Sequence, residues 1–279
     1  MGSLRSERQT GNQTMNEFTF HRPDTVASAV NHLRTSPEAR FLAGGQSLLA
    51  AMKLGLATPA ELVDLGRVRD LAGITADANS LRIGAMTTHA AVAASPEVRS
   101  RIPPLARLAE GIGDPAVRSR GTIGGSLANN DPAACYPAGV LGLGATIETD
   151  RRKIAADDFF RGLYETALEA DEVIVAVRFP VVQKAAWMKF KQPASRFSLV
   201  GVFVSRGTQG VRVAATGAKA CAFRVTALEQ ALTKDFSPKA CDGVKISAEG
   251  LNRDLHASPE YRAHLIGVLA KRAVEQAVG

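Results

Sequence analysis

The sequence predicts an α+β protein in two parts, an α/β front half followed by an α+β back half. Three observations predict it. Apolar runs alternate between strand and helix periodicity up to about residue 64. Two glycine-rich segments, "FLAGGQSLLA" at 41–50 and "GTIGGSLANN" at 121–130, punctuate the front half. From about residue 171 onward strands come first and helices close the chain. With 279 residues and 46% hydrophobic content, the chain has material for a large core and two domains.

The elements follow in order. Residues 1–14, "MGSLRSERQTGNQT", are polar and unpatterned, and read as a leader or disordered tail without the apolar stretch of a signal peptide. "FTFHRP" reads as the first strand. A helix is expected over 24–36, capped by Asp24, with Val26, Ala29, Val30 and Leu33 on one face. "ARFLAGG" reads as a buried strand, "LLAAMKLGL" as a short helix and "ELVDL" as a strand, a βαβ-like order. "SLRIGA" is a strand, "THAAVAASPEV" opens a helix, "PPLARLAEGI" is another, and "GATIET" is a strand. The pattern loosens across 150–170 into a connection. "DEVIVAVRFP" opens the second regime, which continues through "WMKFKQ" and two strands joined by a glycine turn in "SLVGVFVSRGTQGVRVAATGA". Helices near 223–233 and 258–276 close it, the latter with Ser258 as N-cap and Pro259 at N1.

Composition excludes several function classes. The net charge is +7, but the basic residues are dispersed and aromatics are only 5%, which argues against a nucleic-acid groove. Such a surface suits an acidic partner subunit or an anionic small molecule. No run approaches the roughly 18 apolar residues of a membrane span. Cys135, Cys221 and Cys241 are odd in number and far apart, so neither disulfides nor an iron–sulfur or zinc site is expected, and a reducing cytoplasm is. His21, His32, His89, His256 and His264 form no metal-ligand spacing and read as surface or capping histidines, so no metal is expected.

The glycine segments admit two readings: tight turns, or backbone N–H groups facing a diphosphate, with Gln46, Ser47, Thr122 and Ser126 as neutral donors. Neither contains lysine, which excludes a nucleotide-hydrolysing P-loop. The G-x-G-x-x-G spacing of a Rossmann site is absent, although Asp64 stands where a ribose-binding acid would. "GGSLA" resembles a nucleophile elbow but has no supporting Asp/His context. A dinucleotide such as FAD, held without hydrolysis, fits what remains.

"FLAGGQSL" and "VRSRGTIGGSLANNDPAACYPA", followed by "YETALEADEVIVAVRFP", "KFKQPASRF" and "SPEYRAHLIGVLAKRAVEQA", resemble the FAD-binding medium subunit of molybdenum hydroxylases, the family of carbon monoxide dehydrogenase and xanthine dehydrogenase flavin subunits. The resemblance covers about residues 18–276. It implies a vanillyl-alcohol-oxidase type FAD-binding domain over 15–177 and the family's small C-terminal α+β domain over 178–279. It places the pyrophosphate on Ala43, Gly44, Gly45, Gln46 and Ser47 and on Thr122, Ile123, Gly124, Gly125 and Ser126. Ile112 and Ile174 match flavin-lining positions, with plain core residues as the other reading. Lys191 matches a lysine near the isoalloxazine. Cys135 stands where the family usually carries Asp. Asp131, four residues earlier, supplies the carboxylate from the same face if 131–141 is helical after Pro132; otherwise it caps that helix.

The resemblance further implies an electron-relay oxidoreductase with no catalytic acid or base in this chain. The partners would be a large molybdenum-cofactor subunit and a small [2Fe-2S] subunit, as a dimer of heterotrimers, and the complex would pass electrons through FAD to an external acceptor. A free-standing FAD enzyme of the same fold and a flavin-free assembly scaffold are the alternatives. Valine at Gly44 or Gly125 is expected to abolish flavin retention while the chain stays folded.

Overall fold

The computed structural model describes residues 16–279. The tail expected over 1–14 lies outside the described residues. The front half opens with β1 (Thr19–His21), α1 (Val26–Thr35), β2 (Ala39–Leu42), α2 (Leu48–Lys53) and β3 (Glu61–Asp64). The three strands form a parallel sheet in the order β1-β3-β2, which requires the crossover connections the alternation predicts. α1 buries Ala29, Val30 and Leu33. Its cap is Thr25, whose hydroxyl accepts from the Ser28 amide at 3.2 Å. Asp24 stands one residue too early for that N-cap to N3 bond.

Two 3-10 turns, Leu65–Arg67 and Arg69–Leu71, lead to β4 (Ile74–Ala76) and β5 (Ser80–Gly84). The stretch expected to open one helix forms two, α3 (His89–Ala94) and α4 (Pro96–Arg101), because Ser95 ends the first and caps the second with Pro96 at N1. α5 (Pro103–Glu110), α6 (Pro115–Arg120), α7 (Ile123–Asn129) and α8 (Cys135–Leu143) follow, then β6 (Thr146–Thr149) and β7 (Lys153–Ala155). The loosely patterned connection contains β7, the one-turn α9 (Ala156–Phe159) and a hairpin of β8 (Phe160–Gly162) and β9 (Glu165–Thr166). Each is too short to show a period.

β10 (Ile174–Pro180) corrects the expected division. "DEVIVAVRFP" opens no second sheet; it is the middle strand of the five-stranded order β4-β5-β10-β6-β7. Its pairing with β5 continues to Pro180 opposite Ser80, so the front half runs past the boundary expected at 177/178.

The back half is an antiparallel meander of β11 (Lys184–Lys191), β12 (Ser198–Gly207), β13 (Gly210–Thr216) and β14 (Phe223–Arg224), followed by α10 (Thr226–Lys234) and α11 (Pro259–Val278). Ser258 caps α11, accepting from the Tyr261 amide at 3.2 Å, with Pro259 in its first turn as expected. α11 packs across β11 and β12.

α8 joins the halves. All nine of its residues are buried, as in a helix that is apolar all round. Its glycines permit close approach on two sides. A Cβ on Gly139 would lie 2.9 Å from Leu108 of α5, and one on Gly142 would lie 3.0 Å from Phe203 of β12. From the back sheet, Ser205 Oγ donates to the Gly142 carbonyl at 2.7 Å and Arg212 Nε to the Leu141 carbonyl at 2.9 Å. Arg212 also grips both Asp157 oxygens at 2.7 Å, so α9 is tied to the same strand.

Candidate functional site

β2 ends at Leu42, and the chain turns through Ala43, Gly44, Gly45, Gln46 and Ser47 into α2. Gly45 has φ +72°, a conformation that favours glycine. Gly44 is required for a different reason. A Cβ there would overlap the Arg120 carbonyl oxygen and lie 2.8 Å from Gly121 Cα, so its bareness lets the two glycine segments touch. Among the described residues, the amides of Gly44, Gly45, Gln46 and Ser47 donate to no protein acceptor. Four adjacent free donors on a cavity wall form a cradle for an anion.

The second segment is built differently from expectation. It is the first turn of α7, capped by Thr122, whose hydroxyl accepts from the Gly125 amide at 3.1 Å. The Ile123 amide donates to the Thr87 carbonyl at 3.1 Å and the Gly124 amide to the Ala85 carbonyl at 2.8 Å. A Cβ on Gly124 would meet that of Ala85 at 2.6 Å. The leading amides are therefore spent inside the protein. This segment offers the cavity side-chain hydroxyls and a close-packed wall.

Both segments line one cavity of about 520 Å³, inside the size range of small-molecule sites. Ala43, Gly44, Gly45, Gln46, Ser47, Ile112, Thr122, Gly124, Gly125, Ser126, Asp131, Cys135 and Ile174 line it. Ile123 is fully buried in the core and does not. Asp64 also lies outside: it accepts from the Gly66 amide at 2.9 Å and pairs with Arg22 at 3.0 Å.

Asp131 and Cys135 do not share a helical face. α8 begins only at Cys135, with Ala134 as its N-cap, and the Asp131 carboxylate accepts from the Ala133 amide at 2.8 Å in a tight turn ahead of the helix. It caps the turn, and its other oxygen has no protein donor among the described residues. Lys191 lies exposed at the end of β11, outside the cavity, past a register shift between Phe190 and Lys191. Lys189 lines the cavity instead, donating to the Gly111 carbonyl at 3.1 Å and to Cys135 Sγ at 3.2 Å.

Two further wall residues escape sequence reasoning. His89, read as a surface or capping histidine, is buried, and its Nδ1 has no hydrogen-bond partner among the described residues. Burial first, and the Arg118 charge second, lower its pKa to about 4, so a neutral imidazole faces the site. Glu172 accepts from Thr149 Oγ1 at 2.7 Å, from Arg152 at 2.7 and 2.8 Å, and from the Glu169 amide at 3.0 Å. Hydrogen bonding to Arg152 foremost lowers its pKa from 4.5 to about 2. A lowered carboxylate pKa stabilises the fold fully above the unfolded value and loses that stability as pH falls through the folded one. Stability is therefore expected to decline between about pH 4.5 and pH 2, and less steeply in Glu172→Gln. Urea midpoints of both proteins at pH 5 and pH 3 check this; parallel declines would remove Glu172 as the cause.

The cavity offers a run of unspent amides, an orphaned imidazole nitrogen, one ammonium and apolar walls. These suit a ligand with a diphosphate and an extended aromatic body, and FAD has both.

Comparison with known proteins agrees. Residues 16–182 match the family described as the FAD binding domain in molybdopterin dehydrogenase. The carbon monoxide dehydrogenase medium chain of Hydrogenophaga pseudoflava is 35% identical over 93% of this chain and 96% of its own length. The nicotine 6-hydroxylase medium subunit of Paenarthrobacter nicotinovorans is 35% identical over 91% of this chain and 95% of its own. Among solved structures, reconstituted carbon monoxide dehydrogenase from Oligotropha carboxidovorans superposes with a TM-score of 0.89 at 33% identity, covering 95% of this chain and 98% of that one. The chain belongs to the FAD-binding family of molybdopterin dehydrogenases, as an oxidoreductase subunit whose cofactor is FAD.

Proposed function

We propose that this chain is the medium subunit of a three-subunit molybdenum hydroxylase, assembled as a dimer of heterotrimers in the cytoplasm. The observation that carries the reading is similarity at 35% identity to medium chains along nearly their whole length. Its cysteines support it. Cys135, Cys221 and Cys241 are all free, with Cys135 and Cys241 buried, and they form no set for an iron–sulfur cluster, so electrons must arrive from elsewhere.

FAD, when bound, would supply redox chemistry able to take up single electrons from the [2Fe-2S] clusters of a small subunit and give up two to an external acceptor. This chain binds, orients and shields it. The amides of Gly44 to Ser47, with the hydroxyls of Thr122 and Ser126, hold the pyrophosphate. Asp131 would accept from the sugar hydroxyls through its free oxygen. Ile112 and Ile174 would exclude water from the ring, and Lys189, which lines the cavity where Lys191 does not, would put a positive charge beside it.

Isolation of the complex through a tag on this chain, from its native host, tests the reading. FAD, iron and molybdenum in fixed ratio with two further polypeptides is the expected result. A yellow chain that purifies alone, without iron or molybdenum, would establish a free-standing flavoenzyme instead. A colourless chain that takes up no FAD would establish a scaffold.

A further inference from the structure

His21 and Glu61 share one face of the parallel sheet, and His32 meets them there from α1. His21 ends β1, Glu61 begins the adjacent β3, and His32 comes from the last turns of α1 above them. His21 Nε2 lies 2.8 Å from Glu61 Oε2, and the two imidazole rings stack with centroids 4.3 Å apart. One ligand atom from each residue falls within 4.8 Å of the other two. All three side chains are half-buried, so the group is held by its surroundings yet open on one side.

We propose that His21, His32 and Glu61 form a binding site for one zinc-like divalent transition-metal ion, with the fourth position left to water. Two imidazole nitrogens and one carboxylate oxygen suit Zn²⁺, Co²⁺ or Ni²⁺, whereas Mg²⁺ and Ca²⁺ require oxygen-rich sets. Tetrahedral bonds of about 2.0–2.1 Å place ligand atoms about 3.3 Å apart, closer than the 4.8 Å within which they now lie, and one imidazole must turn so that both ring planes contain the ion. The metal fastens β1 and α1 to β3. The sheet so braced also holds β2, which delivers the chain to the Gly44 cradle. No sequence motif announces the site, because its members are brought together by strand pairing and helix packing.

Calorimetric titration of the chelator-stripped, FAD-loaded protein with Zn²⁺ tests the site. One saturable equivalent, a raised melting temperature, no comparable uptake of Mg²⁺ and unchanged flavin absorbance are expected. His21→Ala, His32→Ala and Glu61→Gln should each weaken uptake by at least about tenfold. Glu61→Gln keeps shape and hydrogen bonding, so it remains informative if a histidine variant fails to fold. Absence of saturable uptake would overturn the proposal. Undiminished uptake in Glu61→Gln and in the His21→Ala/His32→Ala double variant would also overturn it, placing the metal elsewhere, for example beside Cys241 and His264, which line a groove under α11.

Discussion

Replacing Gly44 by alanine is expected to give a protein that retains no FAD and is destabilised by about 3 kcal/mol. The added methyl meets backbone, the Arg120 carbonyl and Gly121 Cα, and not a side chain that can swing aside. The first glycine segment must then lift off the second, which separates the free amides from the hydroxyls of Thr122 and Ser126. The structure thus revises the expectation that a residue here blocks the ligand alone and leaves the fold intact. Gly55→Ala is the comparison: unlike Gly44 it has a left-handed backbone, at φ +69°, but open space where the methyl would go. It should cost only about 1 kcal/mol and leave FAD in place. The ratio of flavin to protein absorbance after gel filtration, with urea unfolding, reads both effects. Full FAD occupancy in Gly44→Ala would show that the segments can part without harm to the site.

The second large effect is expected at Arg262, which is 2% exposed on α11. One guanidinium nitrogen donates to the carbonyls of Leu199 and Gly217, both at 2.7 Å, and the other meets Asp254 at 2.6 Å. Gly217 has φ +83°, and its turn ends β13, so the arginine pins the sheet margin to the helix. Arg262→Met keeps the apolar stem and leaves two buried carbonyls without a donor, at about 1–3 kcal/mol each. The Asp254 pair adds little, because that carboxylate is 44% exposed. A loss of about 3 kcal/mol is expected, with faster amide exchange along α11. A loss below about 1 kcal/mol would mean that water replaces the guanidinium.

The parts of the fold legible in the sequence are those whose pattern is local. The β1-α1-β2-α2-β3 order follows from apolar spacing, and the start of α11 from Ser258 and Pro259. β10 was readable as a strand but not as a member of the front sheet, because a strand buried on both faces carries the same apolar run whichever neighbours it takes. Gly124 and Gly125 conceal a helix. Their poor propensity suggests a loop, and the Thr122 cap together with packing on Ala85 overrides it. Most of the candidate site was named from its motifs, and those residues do gather at one cavity. "KFK" offers two lysines on one face, and past the irregularity at Phe190/Lys191 it is Lys189, not the expected Lys191, that lines the cavity. His89 and Glu172 had no motif; burial and partner geometry single them out.

The packing of α8 also bears on how the protein is made. The helix leaves the ribosome apolar on every side, and the strands that cover it, β12 and β13, are completed only at Thr216, about seventy residues later. At ordinary translation speeds of about 5–20 residues per second, α8 waits roughly 4–15 s for its second cover. During that interval the nascent front half presents an uncovered apolar helix to solvent. Slower synthesis across 144–216 would lengthen the wait, so yield should fall when rare codons are placed there and recover when the same codons are moved beyond Thr216.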